Sequence, residues 1–267
     1  MIIVVPLDFS ENSLKALEFA MTIAEKRDAS IVLVHVVNLS FDFAAQSANA
    51  LHSLLKEGEA LLQTTIEKYR APGVQVDYQI LEGDPAINIA RVAAEKEARM
   101  ILIGTQGASG IAKKLIGSTT INLIREARCP VLIVPAQAKV ELIKKATLAM
   151  EFSGHEEAFI DWIVDMTRRW ELGLEILHVQ SGADFKEQLA VLGLEGYLQK
   201  KYPGIMVRIH TFYASSASEG LELYMDEHDN MILVMCHQHR NLWEQILQKS
   251  LSIQMAFHTH IPLLIMN

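Results

Sequence analysis

Three glycines and a serine carry the clearest chemistry in this chain. Gly104, Gly107 and Gly117-Ser118 read Gly-x-x-Gly, nine residues, then Gly-Ser, directly after the apolar run Met100–Ile103. The pattern predicts a buried strand ending at Gly104, a glycine-rich loop across the sheet edge, and a helix beginning at about Ser118. Backbone N–H groups and a helix N-terminus then gather where an anion can sit. The glycines are expected to let the backbone approach phosphate oxygens closely and to supply positive φ. Gly-x-x-x-x-Gly-Lys-Ser/Thr is absent, so the loop is not a Walker A loop. Asp8, at the end of an apolar run, either meets a ligand or caps the helix that follows. A second group, Cys236-His237-Gln238-His239 with His258 and His260 further on, raises the question of a metal. Zinc needs four ligands in a structural site or three in a catalytic one. The plainer reading, a small buried thiol and loop histidines, is the stronger, and no metal is assigned.

The elements that must position these residues follow from composition and periodicity. Of 267 residues, half are apolar and 21% charged, which suits one large or two ordinary globular domains. A net charge of -8 argues against a nucleic-acid surface. No apolar run reaches membrane-spanning length, and Met1–Leu7 is too short for a secretion signal. With Cys129 and Cys236 as the only cysteines, a disulfide framework is not expected, and the setting is read as reducing and cytoplasmic.

The chain also repeats itself. Asp8-Phe9-Ser10 returns as Glu151-Phe152-Ser153, and Leu33-Val34-His35-Val36 as Ile176-Leu177-His178-Val179, both at an offset of 143. Gly117-Ser118 answers to Lys249-Ser250, and Pro130-Val131-Leu132-Ile133 to Pro262-Leu263-Leu264-Ile265, both at 132. A constant offset on each side of one 11-residue deletion (143 minus 132) reads as a tandem duplication, with domains at 1–138 and 139–267. In the first copy, strands are expected at Ile2–Leu7, Ser30–Val37, Val74–Leu81, Met100–Ile103 and Val131–Val134. Helices are expected at Asn12–Lys26 with Ser10 as N-cap, Ala45–Tyr69, Pro85–Ala98 behind Asp84, and Ser118–Ala127. Strands of the second copy fall at Ala146–Met150, Gly173–Val179, Ile205–Tyr213, Met231–Met235 and Pro262–Met266, with Asp184–Tyr202 in place of the long second helix. Unbroken apolar strands alternating with helices predict α/β domains, each a five-stranded parallel sheet covered on both faces. Ligands in such sheets bind at the carboxyl ends of the strands, at the topological switch point.

Pro6-Leu7-Asp8-Phe9-Ser10, His35-Val36, Gly83-Asp84-Pro85, the glycine pattern and Cys129-Pro130-Val131-Leu132 together resemble the universal stress protein family. The resemblance covers the whole first copy by motif and the second only in pattern. It implies Rossmann-like or flavodoxin-like domains of the adenine nucleotide α-hydrolase kind, which bind ATP, with or without Mg, as dimers or tandem pseudo-dimers. Carried to matching positions, it places Asp8 at the ribose or a metal–phosphate group and Pro6, Leu7 and Val36 along an adenine slot. Gly104, Gly107, Gly117, Ser118 and Thr119 would hold ribose and phosphates, Lys113 would screen phosphate charge, and Phe9, Ser10 and Ile103 complete the site.

In the second copy Gly104, Gly107 and Gly117 become Cys236, His239 and Lys249, and Asp8 becomes Glu151. A side chain at each former glycine would fill the groove or, at a position with positive φ, cost about 1 kcal/mol or more, so this copy is expected to keep the fold without the nucleotide. The leading reading is a regulatory stress-response protein with one adenine nucleotide in the first copy. The two copies are expected to pack as an intramolecular pseudo-dimer through the apolar strands Val131–Val134 and Pro262–Met266, with further homodimerisation left open. Two alternatives stand beside it. One is a slow ATPase, for which Asp8 and Lys113 make too small a set. The other is a ligand-free scaffold, with or without metal at the Cys/His group.

Overall fold

The computed structural model describes residues 1–37, 48–105, 117–152, 157–182, 185–236 and 261–266. It divides into two compact units, Met1–Ala136 and Gln137–Met266.

The first unit runs β1 (Ile2–Pro6), α1 (Glu11–Arg27), β2 (Ser30–Val37), α2 (Ala48–Tyr69), β3 (Val76–Glu82), α3 (Pro85–Glu95), β4 (Met100–Gly104), α4 (Ser118–Glu126) and β5 (Val131–Val134). Its strands lie in the order β3-β2-β1-β4-β5, and every neighbouring pair is parallel. Ile3–Val5, Ile31–Val34, Met100–Ile103 and Val131–Val134 are all buried, as strands covered on both faces must be. Right-handed crossovers put α1 and α2 on one face and α3 and α4 on the other. In keeping with this, Tyr69 of α2 donates to Glu18 of α1 at 3.4 Å, and α3 packs on α4. The order reverses at β1, whose neighbours are β2 and β4, so the crevice of the sheet opens above the carboxyl ends of β1 and β4.

Helix starts follow local chemistry. The Ser10 hydroxyl accepts from Ser13 N–H at 3.3 Å and caps α1. Asp84 accepts from Ile87 N–H at 3.0 Å and caps α3, with Pro85 in its first turn. One helix end departs from the sequence reading. The helix expected to run to Ala98 stops at Glu95, because Glu97 takes φ 49° and Ala98 N–H folds back on the Ala93 carbonyl at 2.8 Å. Asp28 and Glu171 close α1 and the first helix of the second unit with φ of 50° and 53°. Glycine is the usual residue at such left-handed ends; three carboxylate side chains stand there instead.

The second unit runs β6 (Lys145–Ala149), α5 (Glu157–Trp170), β7 (Gly173–Gln180), α6 (Phe185–Lys201), β8 (Val207–Tyr213), α7 (Ala217–Glu227), β9 (Met231–Cys236) and β10 (Leu263–Met266). Its parallel strands lie in the order β10-β9-β6-β7-β8. Backbone details recur at the offset of 143. Leu7 N–H bonds the Val34 carbonyl at 2.9 Å, as Met150 N–H bonds Leu177 at 2.9 Å; Ser30 N–H bonds Met1 at 2.8 Å, as Gly173 N–H bonds Lys144 at 2.9 Å. One feature belongs to the second unit alone. Buried Glu175 takes both carboxylate oxygens to Lys145 Nζ at 2.9 and 3.0 Å and accepts the Tyr224 hydroxyl. The positions 143 earlier are Ile2 and Val32.

Candidate functional site

The site is built where β1 hands the chain to α1. After Pro6 and the buried Leu7, the chain turns through Asp8, Phe9 and Ser10, with Phe9 held at φ 63°. Three contacts fix that turn. Asp8 Oδ1 accepts from the Ser10 N–H at 3.1 Å and from the Ser10 hydroxyl at 2.6 Å. The Ser10 hydroxyl caps α1 in turn. From β2, His35 Nδ1–H donates to the Leu7 carbonyl at 2.7 Å, and its ring lies 4.8 Å from that of Phe9. The acceptor is a carbonyl, so Nδ1 must carry the proton. Gly58 of α2 gives this imidazole room: a Cβ there would stand 2.9 Å from His35 Cδ2.

Across the switch point, β4 ends at Gly104 and Thr105. Gly117 N–H donates to the Thr105 carbonyl at 2.8 Å, and the buried Thr120 hydroxyl donates to the Gly104 carbonyl at 3.2 Å. These two bonds bring the ends of the glycine-rich segment together and seat α4 at the edge of β4. Gly117 is the N-cap, at φ -62° and ψ 149°, and no side chain caps the helix. Ser118 is therefore the first helical residue; as the cap it would have offered its hydroxyl to its own helix. It is exposed, and Thr119 is half-buried. An uncapped first turn with two hydroxyls is a place for an anion, favoured by the N–H groups and by the positive end of the helix dipole.

One expectation about the glycines is corrected here. Neither Gly104 nor Gly117 has positive φ; among described glycines only Gly73, Gly83 and Gly204 do. Gly104 is small because α1 sits on it: a Cβ there would lie 2.6 Å from the Asn12 carbonyl oxygen and 2.9 Å from Asn12 Cβ. Its role is to admit the start of α1, and with it the Asp8–Ser10 turn. The conformational cost argued for side chains at these positions in the second unit accordingly falls away for Cys236; steric room replaces it.

The remaining predicted positions divide simply. Pro6, Leu7 and Ile103 are buried in β1, just after it and in β4; Val36 is half-buried near the end of β2; Asp8, Phe9 and Ser10 are half-buried in the turn. Gly107 and Lys113 lie outside the described residues, as do His237, His239, Lys249, Ser250, His258 and His260. Among the described residues no cluster of three or more His, Cys, Asp or Glu is arranged for a metal. In the sequence His35 is a landmark of the second strand with no role assigned, and Thr105, Thr120 and Gly58 carry no mark beyond the Thr-Thr pair after Gly-Ser.

The second unit keeps the turn and changes its surroundings. Phe152 has φ 58°, its ring lies 4.6 Å from that of His178, and His178 Nδ1–H donates to the Met150 carbonyl at 3.0 Å. Cys236 ends β9 opposite Met266, as Gly104 ends β4 opposite Val134. Neither cysteine is in a disulfide.

A parallel α/β sheet with a polar turn and an open helix start at its switch point defines a domain of the doubly wound class. Comparison with known proteins makes this specific. The sequence profile of the Universal stress protein family matches residues 1–135. A universal stress protein of Methanocaldococcus jannaschii is 36% identical over 142 residues, covering 51% of this chain and 83% of that protein. The universal stress protein YxiE of Bacillus subtilis is 29% identical over 141 residues, covering 49% and 95%. A crystal structure of a universal stress protein from Archaeoglobus fulgidus superposes with a TM-score of 0.77 at 21% identity, covering 100% of this chain and 96% of that one; that likeness extends the fold over both units. The chain belongs to the universal stress protein family. Among the described residues no helix is long and apolar enough to cross a membrane.

Proposed function

We propose that the first unit binds one adenine nucleotide, ATP with Mg as the first candidate, and that the protein acts as a stress-response regulator whose bound state alters its contacts. The observation that carries this reading is the uncapped start of α4 at the switch point, tied to β4 by the Gly117–Thr105 and Thr120–Gly104 bonds. Phosphates would meet the first-turn N–H groups with the hydroxyls of Ser118 and Thr119. The base would lie over Leu7 and Val36. In this reading Asp8 keeps Oδ1 on Ser10, which aims the carboxylate at a ribose or a metal–phosphate group, and Gly107 and Lys113 complete the loop. The second unit is proposed as a duplicated, non-binding pseudo-dimer partner, since Cys236 and Lys249 replace Gly104 and Gly117 in it. A reducing, cytoplasmic setting belongs to the same proposal.

Isothermal titration of the full chain with Mg-ATP is expected to give a stoichiometry near one per chain. Gly117→Lys, which puts a long side chain where the backbone should touch phosphate, is expected to abolish binding and leave the far-UV circular dichroism unchanged. Two equivalent sites, no heat of binding, or undiminished affinity in the variant would each reject the assignment.

A further inference from the structure

The second unit buries two polar groups that its fold does not satisfy. His178 and Gln180, at the carboxyl end of β7, are 3% and 2% exposed. Among the described residues, His178 Nε2 and the Gln180 amide nitrogen have no hydrogen-bond partner. Side chains two apart on a strand share a face, so both groups stand on one side of the sheet. An unmet buried polar group costs about 1–3 kcal/mol, a cost that a bound ligand removes.

The tautomer sets what that ligand must be. His178 Nδ1–H donates to the Met150 carbonyl at 3.0 Å, so Nε2 of the neutral ring carries a bare lone pair. Set against it is Glu187 of α6, whose Oε2 lies 3.5 Å away. Both atoms offer lone pairs. A proton shared between them would draw them to about 2.7–2.9 Å, and 3.5 Å is too long for that bond. Two ligand atoms about 2.1 Å from one tetrahedral metal ion lie about 3.4 Å apart, close to the spacing found. The imidazole is sealed in the fold, whereas the Glu187 side chain is 40% exposed, so an ion can enter from the α6 side.

The first unit lacks these parts. His35 makes the same Nδ1 bond to a strand-end carbonyl, so that bond belongs to the fold. Gly58 of α2 lies against the His35 ring, and Val37 stands 143 positions before Gln180. The carboxylate and the buried amide belong to the second unit alone.

We propose that His178 Nε2 and Glu187 hold a divalent first-row metal ion, zinc first, at an exchangeable site in the second unit. An imidazole nitrogen beside a carboxylate suits zinc; magnesium and calcium take oxygen ligands. Two protein ligands are fewer than the three of a catalytic zinc site or the four of a structural one. Water fills the other positions, and the ion exchanges. A metal-bound water is also an acceptor of the kind the Gln180 amide lacks. This inference is independent of nucleotide binding in the first unit.

Long-range proton–nitrogen correlation of the histidine rings, in the full chain without nucleotide, tests it during titration with zinc chloride. His178 is identified by the Phe152 ring 4.6 Å away and His35 by the Phe9 ring 4.8 Å away. The His178 Nε2 signal should move along one saturating curve while His35, the internal control, stays in place. Glu187→Gln, with unchanged circular dichroism, should raise the midpoint by about tenfold or more. Magnesium chloride over the same range should move neither ring. The proposal is overturned if His178 Nε2 is already protonated near neutral pH and zinc leaves it so. It is equally overturned if both rings move alike, or if Glu187→Gln binds zinc as the parent does.

Discussion

Gly104 is the residue at which a ligand role and a packing role predict opposite results. If it serves only to bring backbone near a phosphate, Gly104→Ala weakens binding and leaves the unliganded protein as stable as before. The structure argues otherwise. The added Cβ would stand 2.6 Å from the Asn12 carbonyl oxygen, 2.7 Å from its carbon and 2.9 Å from its Cβ, where ordinary contact begins near 3.4 Å. The first turn of α1 must therefore retreat by about 0.8 Å (3.4 minus 2.6). Two of the three atoms are backbone and have no rotamer to escape into. Overpacking of one methyl against a rigid wall costs about 1–3 kcal/mol, and backbone atoms push this case to about 2–3 kcal/mol. At roughly 3–4 °C per kcal/mol for a unit of this size, the midpoint of its unfolding should fall by about 6–12 °C. Differential scanning calorimetry of the ligand-free parent and variant measures this directly. A midpoint within about 2 °C of the parent would show that α1 yields freely and that the packing argument is wrong. The same retreat moves the Ser10 cap and its partner Asp8, so nucleotide affinity should fall together with stability.

Three further outcomes are expected. Lys145→Met strands the buried Glu175 carboxylate and should destabilise the second unit by about 3–5 kcal/mol in urea unfolding; Lys145→Ile with Glu175→Val, the residues found 143 positions earlier, should recover most of that loss. Glu97→Gly should stabilise the first unit by about 1 kcal/mol, because an exposed side chain at φ 49° gains nothing from its Cβ; an unchanged or lower urea midpoint would contradict this. Burial pushes the Cys129 thiol up to about 11, partly offset by its own backbone N–H. The neutral thiol therefore persists through pH 9, and alkylation at Cys129, followed by peptide mass spectrometry, should lag a free cysteine and accelerate only as pH approaches that value.

How much of this was legible beforehand depended on the physics behind each feature. Strands buried on both faces announce themselves as unbroken apolar runs, and β2 occupies Ser30–Val37 as expected. Helix starts carry side-chain signals, and Ser10 and Asp84 cap where the sequence placed them. Helix ends did so unevenly: Pro72-Gly73 marks the stop of α2 at Tyr69. The chain turns left-handed at Asp28, Glu97 and Glu171, where no glycine marks the stop, so α3 was read three residues too long. The glycine pattern marked where β4 ends and α4 begins, and only its backbone conformation was misread. Gly104 stands where the pattern put it, but a glycine that admits a neighbouring helix and one that admits a phosphate look alike in a sequence. Only the distance to Asn12 separates them. The His35–Leu7 bond was out of reach, because it joins side chain to backbone across 28 residues.

The second unit supplies a control for deciding which of these features belong to the frame. The left-handed phenylalanine, the imidazole beside it and the bond to the strand-end carbonyl all recur at Phe152, His178 and Met150, although the glycine-rich loop does not. A device present with and without that loop answers to the fold: it holds the β1–α1 turn at one angle to the sheet. Asp8, riding on the turn, is thereby aimed with no ligand needed to hold it, and Glu151 occupies the corresponding place. What distinguishes the first unit is thus narrower than its motif suggests. Gly104 lets α1 close onto β4, and the Gly117 cap leaves the start of α4 without a side chain of its own. The first sets where the Asp8 carboxylate stands and the second leaves N–H groups for an anion. Under the proposed function, the nucleotide must answer to both.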